Sequence, residues 1–291
     1  MLFYSMIILQ RYILYQKYRW FLKVLRTSFS KKFKLKILIL SIHLLLTSIA
    51  PSFGAGSGGE LLKVDWSFKG LTGKFDRASL QRGFQVYKEV CSSCHSMQYL
   101  SYRNLGESGG PEFSELEVKA IAASVEIEDG PDSQGEMFTR PGRPSDKFKS
   151  PYPNVNASIA ANGGAYPPDM SVLVKARPGG SNYIYSVLMG YEEPPAGMIL
   201  DEGVYYNKYM DGNKIKMMNP LSVDLIEYTD GTNATVDQMA KDVTTFLTWA
   251  AEPHLEARHK TGTKVMIYLI LLATLVYFSM KRLWSRVDAE K

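Results

Sequence analysis

The sequence has 291 residues, 45% of them hydrophobic and 22% charged, and a formal net charge of +5. The excess of base lies wholly in residues 1–59, which hold nine Lys/Arg and no acid; the remainder carries 25 basic against 29 acidic residues. That distribution excludes a nucleic-acid-binding body, which needs a basic face interleaved with aromatics, while the length accommodates one large domain or two small ones.

The first predicted segment, 1–55, reads as a targeting sequence. Lys31, Lys32, Lys34 and Lys36 precede an apolar run from Ile37 to Leu46, and small residues follow around Ser52–Gly56. This is the order of a secretory signal. The long aromatic stretch before Lys31 leaves a mis-chosen start or a bipartite mitochondrial presequence as alternatives. An uncleaved anchor is disfavoured, because the apolar run is short for a bilayer.

The second segment, 56–260, is the exported domain. Leu80, Phe84, Tyr87 and Cys91 recur at helical spacing and predict an amphipathic helix that runs into the cysteines. Between Glu107 and Glu136, nine Asp/Glu face Lys119 alone. Two readings stand there: a solvated surface, or a field that steers a cationic partner. A Gly- and Pro-rich middle follows (141–153, 163–168, 178–180, 194–197), without convincing strands. Loops of that length are usually functional or wrapped around something. Thr235-x-x-Gln238 then opens a helix with a capping-box pattern, its apolar positions running from Val236 to Ala250 until Pro253 ends it. No internal repeat or low-complexity tract is present, and the domain reads as mainly helical.

The third segment, 261–281, is a predicted transmembrane anchor built on the uncharged run Val265–Met280. Lys281, Arg282, Trp284 and Arg286 form a basic, aromatic interfacial flank to it. The positive-inside rule puts the 282–291 tail in the cytoplasm and the preceding domain on the far side, an orientation the export signal gives independently.

Cys91 and Cys94 are the only cysteines, and His95 follows directly. A disulfide across two residues would constrain the unfolded chain little. A zinc site needs four ligands, and there is no second cysteine pair. A redox dithiol belongs at a helix N-terminus, whereas here the helix precedes the cysteines. The arrangement C-x-x-C-H instead predicts one covalently attached haem c, with both thiols bonded to the haem vinyl groups and His95 the proximal iron ligand. The other histidines, His43, His254 and His259, lie in the signal or beside the anchor. A methionine therefore suits the sixth iron position, although thirteen are available and Met97 is too near His95 to reach the opposite face.

Several stretches resemble cytochrome c1, the haem-bearing subunit of ubiquinol–cytochrome c reductase. They are QRGFQVYKEVCSSCHSMQYLSYRNL (81–105), ANGGAYPPDMSVLVKARPGG (161–180), YIYSVLMGYEEPPAGM (183–198), GVYYNKYM (203–210), DVTTFLTWAAEPHLEARHKTG and KRLW. The similarity runs in order over about 65–286. It implies a mainly α, cytochrome c-like haem domain with long loop insertions and one C-terminal transmembrane helix. Helices 80–91 and 235–252 would be the crossed pair of that fold, with Gly83 permitting close approach. The family's methionine ligand falls in register on Met217; Met218 and Met198 remain alternatives, and Asn219 stands where the family has a proline. By the same matching, Arg177 would pair with a haem propionate, Tyr183 would lie nearby, and Asn162, Pro167 and Pro168 would line the haem pocket.

The implied function is transfer of electrons from the Rieske iron–sulfur protein to soluble cytochrome c, within a complex that also holds cytochrome b. The tail KRLWSRV resembles the alphaproteobacterial branch, which implies a bacterial inner membrane with the haem domain in the periplasm, rather than a mitochondrial inner membrane. The alternatives are a free-standing membrane-tethered monohaem cytochrome donating to a terminal oxidase, and, from a different class, a haem peroxidase. The second needs acid–base residues beside an open iron site, which a histidine-poor domain does not offer.

Overall fold

The structure, a computed structural model, describes residues 59–289; the targeting segment expected over 1–55 lies outside them. Among the described residues, the helices are α1 (Arg77–Glu89), α2 (Glu115–Ala123), α3 (Val155–Ala161), α4 (Ser181–Met189), α5 (Val236–Ala251) and α6 (Leu255–Ala289). Two antiparallel hairpins accompany them. Strand β1 (Glu126–Asp129) pairs with β2 (Phe138–Pro141), and β3 (Tyr205–Tyr206) pairs with β4 (Lys214–Ile215). The Gly/Pro-rich middle, 141–197, thus holds two short helices, α3 and α4, and the last residue of β2, none of which its composition announced. Each is local, and the hairpins are too short for strand periodicity to register.

Helix α1 begins where the Asp76 carboxylate accepts from the Ser79 amide at 3.2 Å. It buries Leu80, Phe84 and Tyr87 as their spacing predicts. Helix α5 begins at Thr235, whose hydroxyl accepts from the Gln238 amide at 3.1 Å. The capping box is only half made, because the Gln238 side chain donates to Asp242 at 3.0 Å instead of returning to Thr235. The two helices cross at Gly83, where a Cβ would lie 2.1 Å from the Asp242 carbonyl oxygen and 2.7 Å from Phe246 Cβ. No other residue permits that approach. Phe84, Tyr87, Phe246 and Trp249 meet around the crossing with ring centroids 5.5–5.9 Å apart. Beside it, Arg82 donates to both oxygens of the fully buried Asp242, at 2.8 and 3.2 Å, and to Asp230 at 2.8 Å. The buried charge is therefore paired.

Helix α4 packs on α5, with the Ser181 and Thr248 hydroxyls 3.0 Å apart. Helix α6 starts after Pro253 and runs unbroken through the segments expected as anchor and tail, beginning six residues before 261. Its span 255–287 is long and apolar enough to cross a bilayer. The first turn is tied to the domain: Arg77 donates in parallel to both Glu256 oxygens at 2.8 and 2.9 Å, and the Phe75 amide donates to the same carboxylate.

Candidate metal centre

The C-x-x-C-H stretch is shaped by the end of α1. The helix stops at Glu89, and Cys91–Ser93 tightens into one 3₁₀ turn. The Cys94 and His95 amides both donate to the Cys91 carbonyl, at 3.2 and 2.9 Å. Ser92 and Ser93 donate their hydroxyls to the Lys88 and Val90 carbonyls at 2.7 and 2.8 Å, satisfying acceptors that a helix end leaves free. Both cysteines and the histidine thus sit on one turn, with the thiols unjoined.

Burial pushes the Cys91 thiol up to about 12, with the neighbouring Cys94 adding to the effect. A protonated thiol is the opposite of an activated redox thiolate. Among the described residues, no three His, Cys, Asp or Glu side chains gather as a metal-binding group, so the zinc reading lacks ligands.

His95 is 9% exposed, and its Nδ1 lies 2.8 Å from the Pro168 carbonyl oxygen. With Nδ1 as the donor, Nε2 keeps its lone pair, the arrangement a metal-ligating imidazole requires. Burial also lowers the imidazole pKa, favouring the neutral, ligating form. Of the expected pocket residues, Pro168 accepts a hydrogen bond from the histidine.

The 168–171 segment is held against 95–99 by Asp169, which reasoning from the sequence did not single out. Its Oδ2 accepts from the Ser96 hydroxyl at 2.8 Å and the Gln98 amide at 2.9 Å, and its Oδ1 from the Ser171 amide at 2.9 Å. Burial alone would raise this carboxyl, but those hydrogen bonds outweigh it and hold the pKa below its usual value. The available signal was an acid directly after the Pro167–Pro168 pair.

The other candidates are placed separately. Asn162 ends α3, its side chain donating to the Ser158 carbonyl at 2.7 Å. Arg177 is exposed, and its side chain donates to the Ala176 carbonyl at 3.2 Å; among the described residues it has no acidic partner. The Tyr183 hydroxyl donates to Met210 Sδ at 3.3 Å. Met217 and Met198 are half-buried, whereas Met218 is 66% exposed. Asn219 forms a local turn, its Oδ1 accepting from the Leu221 amide at 3.2 Å; this supplies by hydrogen bonding some of the stiffness a proline would supply covalently.

A cavity of about 220 Å³ lies behind the turn, bounded by Lys88, Ser92, Tyr102, Phe148 and Lys149 among others. His95 does not line it.

The donor set fits a c-type haem: two thiols and a neutral, oriented imidazole on one turn, with thioethers elsewhere. Comparison with known proteins agrees. Residues 66–287 match the model of the Cytochrome C1 family. The chain is 51% identical to a "Cytochrome b/c1" of Bradyrhizobium diazoefficiens over 76% of its own length, which spans only 35% of that longer relative. It is 48% identical to "Cytochrome c1-2, heme protein, mitochondrial" of Solanum tuberosum (84% of this chain, 93% of the relative). It is 46% identical to "Cytochrome c1" of Rhodospirillum rubrum (84% and 94%).

Proposed function

The chain belongs to the cytochrome c1 family, and we propose from this that it is the electron-transfer subunit of ubiquinol–cytochrome c reductase, taking electrons from the Rieske iron–sulfur protein and passing them to soluble cytochrome c beside cytochrome b. The carrying observation is the 91–95 turn, in which the Pro168 carbonyl fixes the His95 tautomer. When bound, a single haem c supplies a one-electron iron couple.

The protein's own residues then have these parts. Cys91 and Cys94 would hold the haem through two thioethers, one thiol to each vinyl group. His95 would ligate the iron through Nε2, made more basic by the hydrogen bond its Nδ1 makes. Met217 would be the sixth ligand, a reading supported by its register and by the solvent exposure of Met218; a thioether there would favour reduced iron and a high potential. Arg177 would offer its exposed guanidinium to a propionate. Tyr183, Asn162, Pro167 and Pro168 complete the pocket. The α6 anchor crosses the bacterial inner membrane once, with the haem domain in the periplasm and the C-terminus in the cytoplasm.

Affinity purification of the tagged full-length chain from membranes tests this reading. Co-purification of cytochrome b and a Rieske protein, with ubiquinol-dependent reduction of the c-type haem, is the expected result. A c-type haem recovered without either partner would contradict it.

A further inference from the structure

Met217 stands two residues beyond the last paired position of the β3–β4 hairpin, Ile215. Past that point no strand partner holds the backbone. Two contacts from distant segments do. The Tyr191 hydroxyl donates to the Met217 carbonyl at 3.0 Å, and the Lys216 ammonium donates to the Gly163 carbonyl at 3.1 Å. Among the described residues, only the first acts on Met217 itself.

Tyr191 is rigidly placed for this. It follows Gly190, the residue that closes α4, where a Cβ would lie 2.6 Å from the Tyr209 ring and 2.7 Å from Asn207 Oδ1. Tyr191 also forms a backbone bridge with Asn207. Asn207 is completely buried; it donates to the Val187 carbonyl at 2.7 Å and accepts from the Tyr209 and Met210 amides at 3.1 and 3.2 Å. The phenol is thus mounted on the same buried knot that starts the hairpin.

We propose that Tyr191 is a positioning residue for the Met217 thioether, setting the height and direction of the Met217 backbone through its carbonyl. This rests on Met217 being the sixth ligand. The hydroxyl never touches the iron or its substituents. It acts by raising the fraction of molecules in which the side chain is seated, and a ligand that competes for the same position reads that fraction directly. A neutral hydrogen bond contributes enough to change such a population by about fivefold.

The test uses the haem-loaded full-length chain in detergent, with imidazole as the competing ligand for ferric protein. Tyr191→Phe removes the donor and keeps the ring. It should raise imidazole affinity about fivefold and weaken the thioether–ferric absorption band. Tyr205→Phe, which removes a neighbouring phenol not bonded to this segment, should change neither. A merely structural role would lower thermal stability and leave imidazole affinity alone, and that result overturns the proposal. Met217→Leu separates the proposal from its premise. If Met217→Leu abolishes the band while Tyr191→Phe leaves both readouts at wild type, the ligand assignment stands and the role of Tyr191 falls. If the band survives Met217→Leu, both fall. Should Tyr191→Phe fail to accumulate, 3-fluorotyrosine incorporated at 191 keeps the shape and strengthens the donor. Imidazole affinity should then drop, and an unchanged or higher affinity would again count against the proposal.

Discussion

At His95, the ring's chemistry is set by a backbone oxygen 73 residues away, the Pro168 carbonyl. The sequence shows the histidine and the proline but not the hydrogen bond between them, because backbone acceptors carry no residue identity. Asp169 was equally invisible for its role, since an acid after two prolines reads first as a turn residue. The adjacent thioethers are the reverse case: family register points to Met217, and the structure differs at the two positions, half-buried against 66% exposed. Replacing Met217 by Leu should lower the midpoint potential by on the order of hundreds of millivolts and open the iron to carbon monoxide, because the axial ligand is a main control on potential. Redox titration of Met217→Leu and Met218→Leu side by side checks this. A drop confined to Met218→Leu would move the ligand by one residue.

At the scale of elements, α1 was legible through its apolar spacing and α5 through spacing and its Thr235 cap, because these are local signals. Their crossing was legible only through resemblance, since Gly83 has meaning only against Asp242 and Phe246. Gly83→Ala should cost about 1–3 kcal/mol through overpacking, read as a lower denaturation midpoint with an unchanged slope. The β1–β2 hairpin escaped detection because its strands are only four residues long, with acids at three of the four β1 positions and Pro141 closing β2. A charge cluster holds it, with Arg140 joining Asp129 of β1 to Asp146 beyond β2. The Arg140 hydrogen bond holds the Asp146 carboxyl down at about 2. A depressed carboxylate contributes stability that is fully present above its unfolded value of about 3.9 and is lost as pH falls through the folded value. Asp146→Asn should therefore destabilise the protein at neutral pH and remove its share of the acid loss between about pH 4 and 2. Acid titrations of both proteins, followed by amide exchange at 126–141, would show it; parallel curves would mean that the pair contributes nothing.

For the molecule as a whole, the acidic stretch 107–136 divides once its contacts are known. Glu107 accepts from the Asn104 side chain, Glu112 bonds Arg77 and the Gly109 amide, Glu115 pairs with Lys119, Glu117 caps α2, Asp129 pairs with Arg140 and Asp132 closes a turn. These acids are committed to the fold. Glu126, Glu128 and Glu136 are exposed and make no side-chain hydrogen bond or ion pair among the described residues, and alternation puts the first two on one face of β1. Steering of a basic cytochrome c, if this surface does it, falls to these three, and screening acts over about 8 Å at physiological salt. Charge reversal of all three to Lys should slow association and flatten its salt dependence while leaving the haem spectrum unchanged. Equal rates and slopes would make the face a solvated surface only. Asp129 is unsuitable for that experiment, because its reversal would break the hairpin.

The central claim is that one haem is bonded to Cys91 and Cys94 on the turn that also presents His95. Acid–acetone extraction of the denatured full-length chain, followed by haem quantification in both fractions, tests it most directly. The account predicts one haem per chain retained by the polypeptide, and a loosened or absent haem when either cysteine is replaced by Ser. Recovery of all the haem in the acetone phase from the unmodified protein would contradict it.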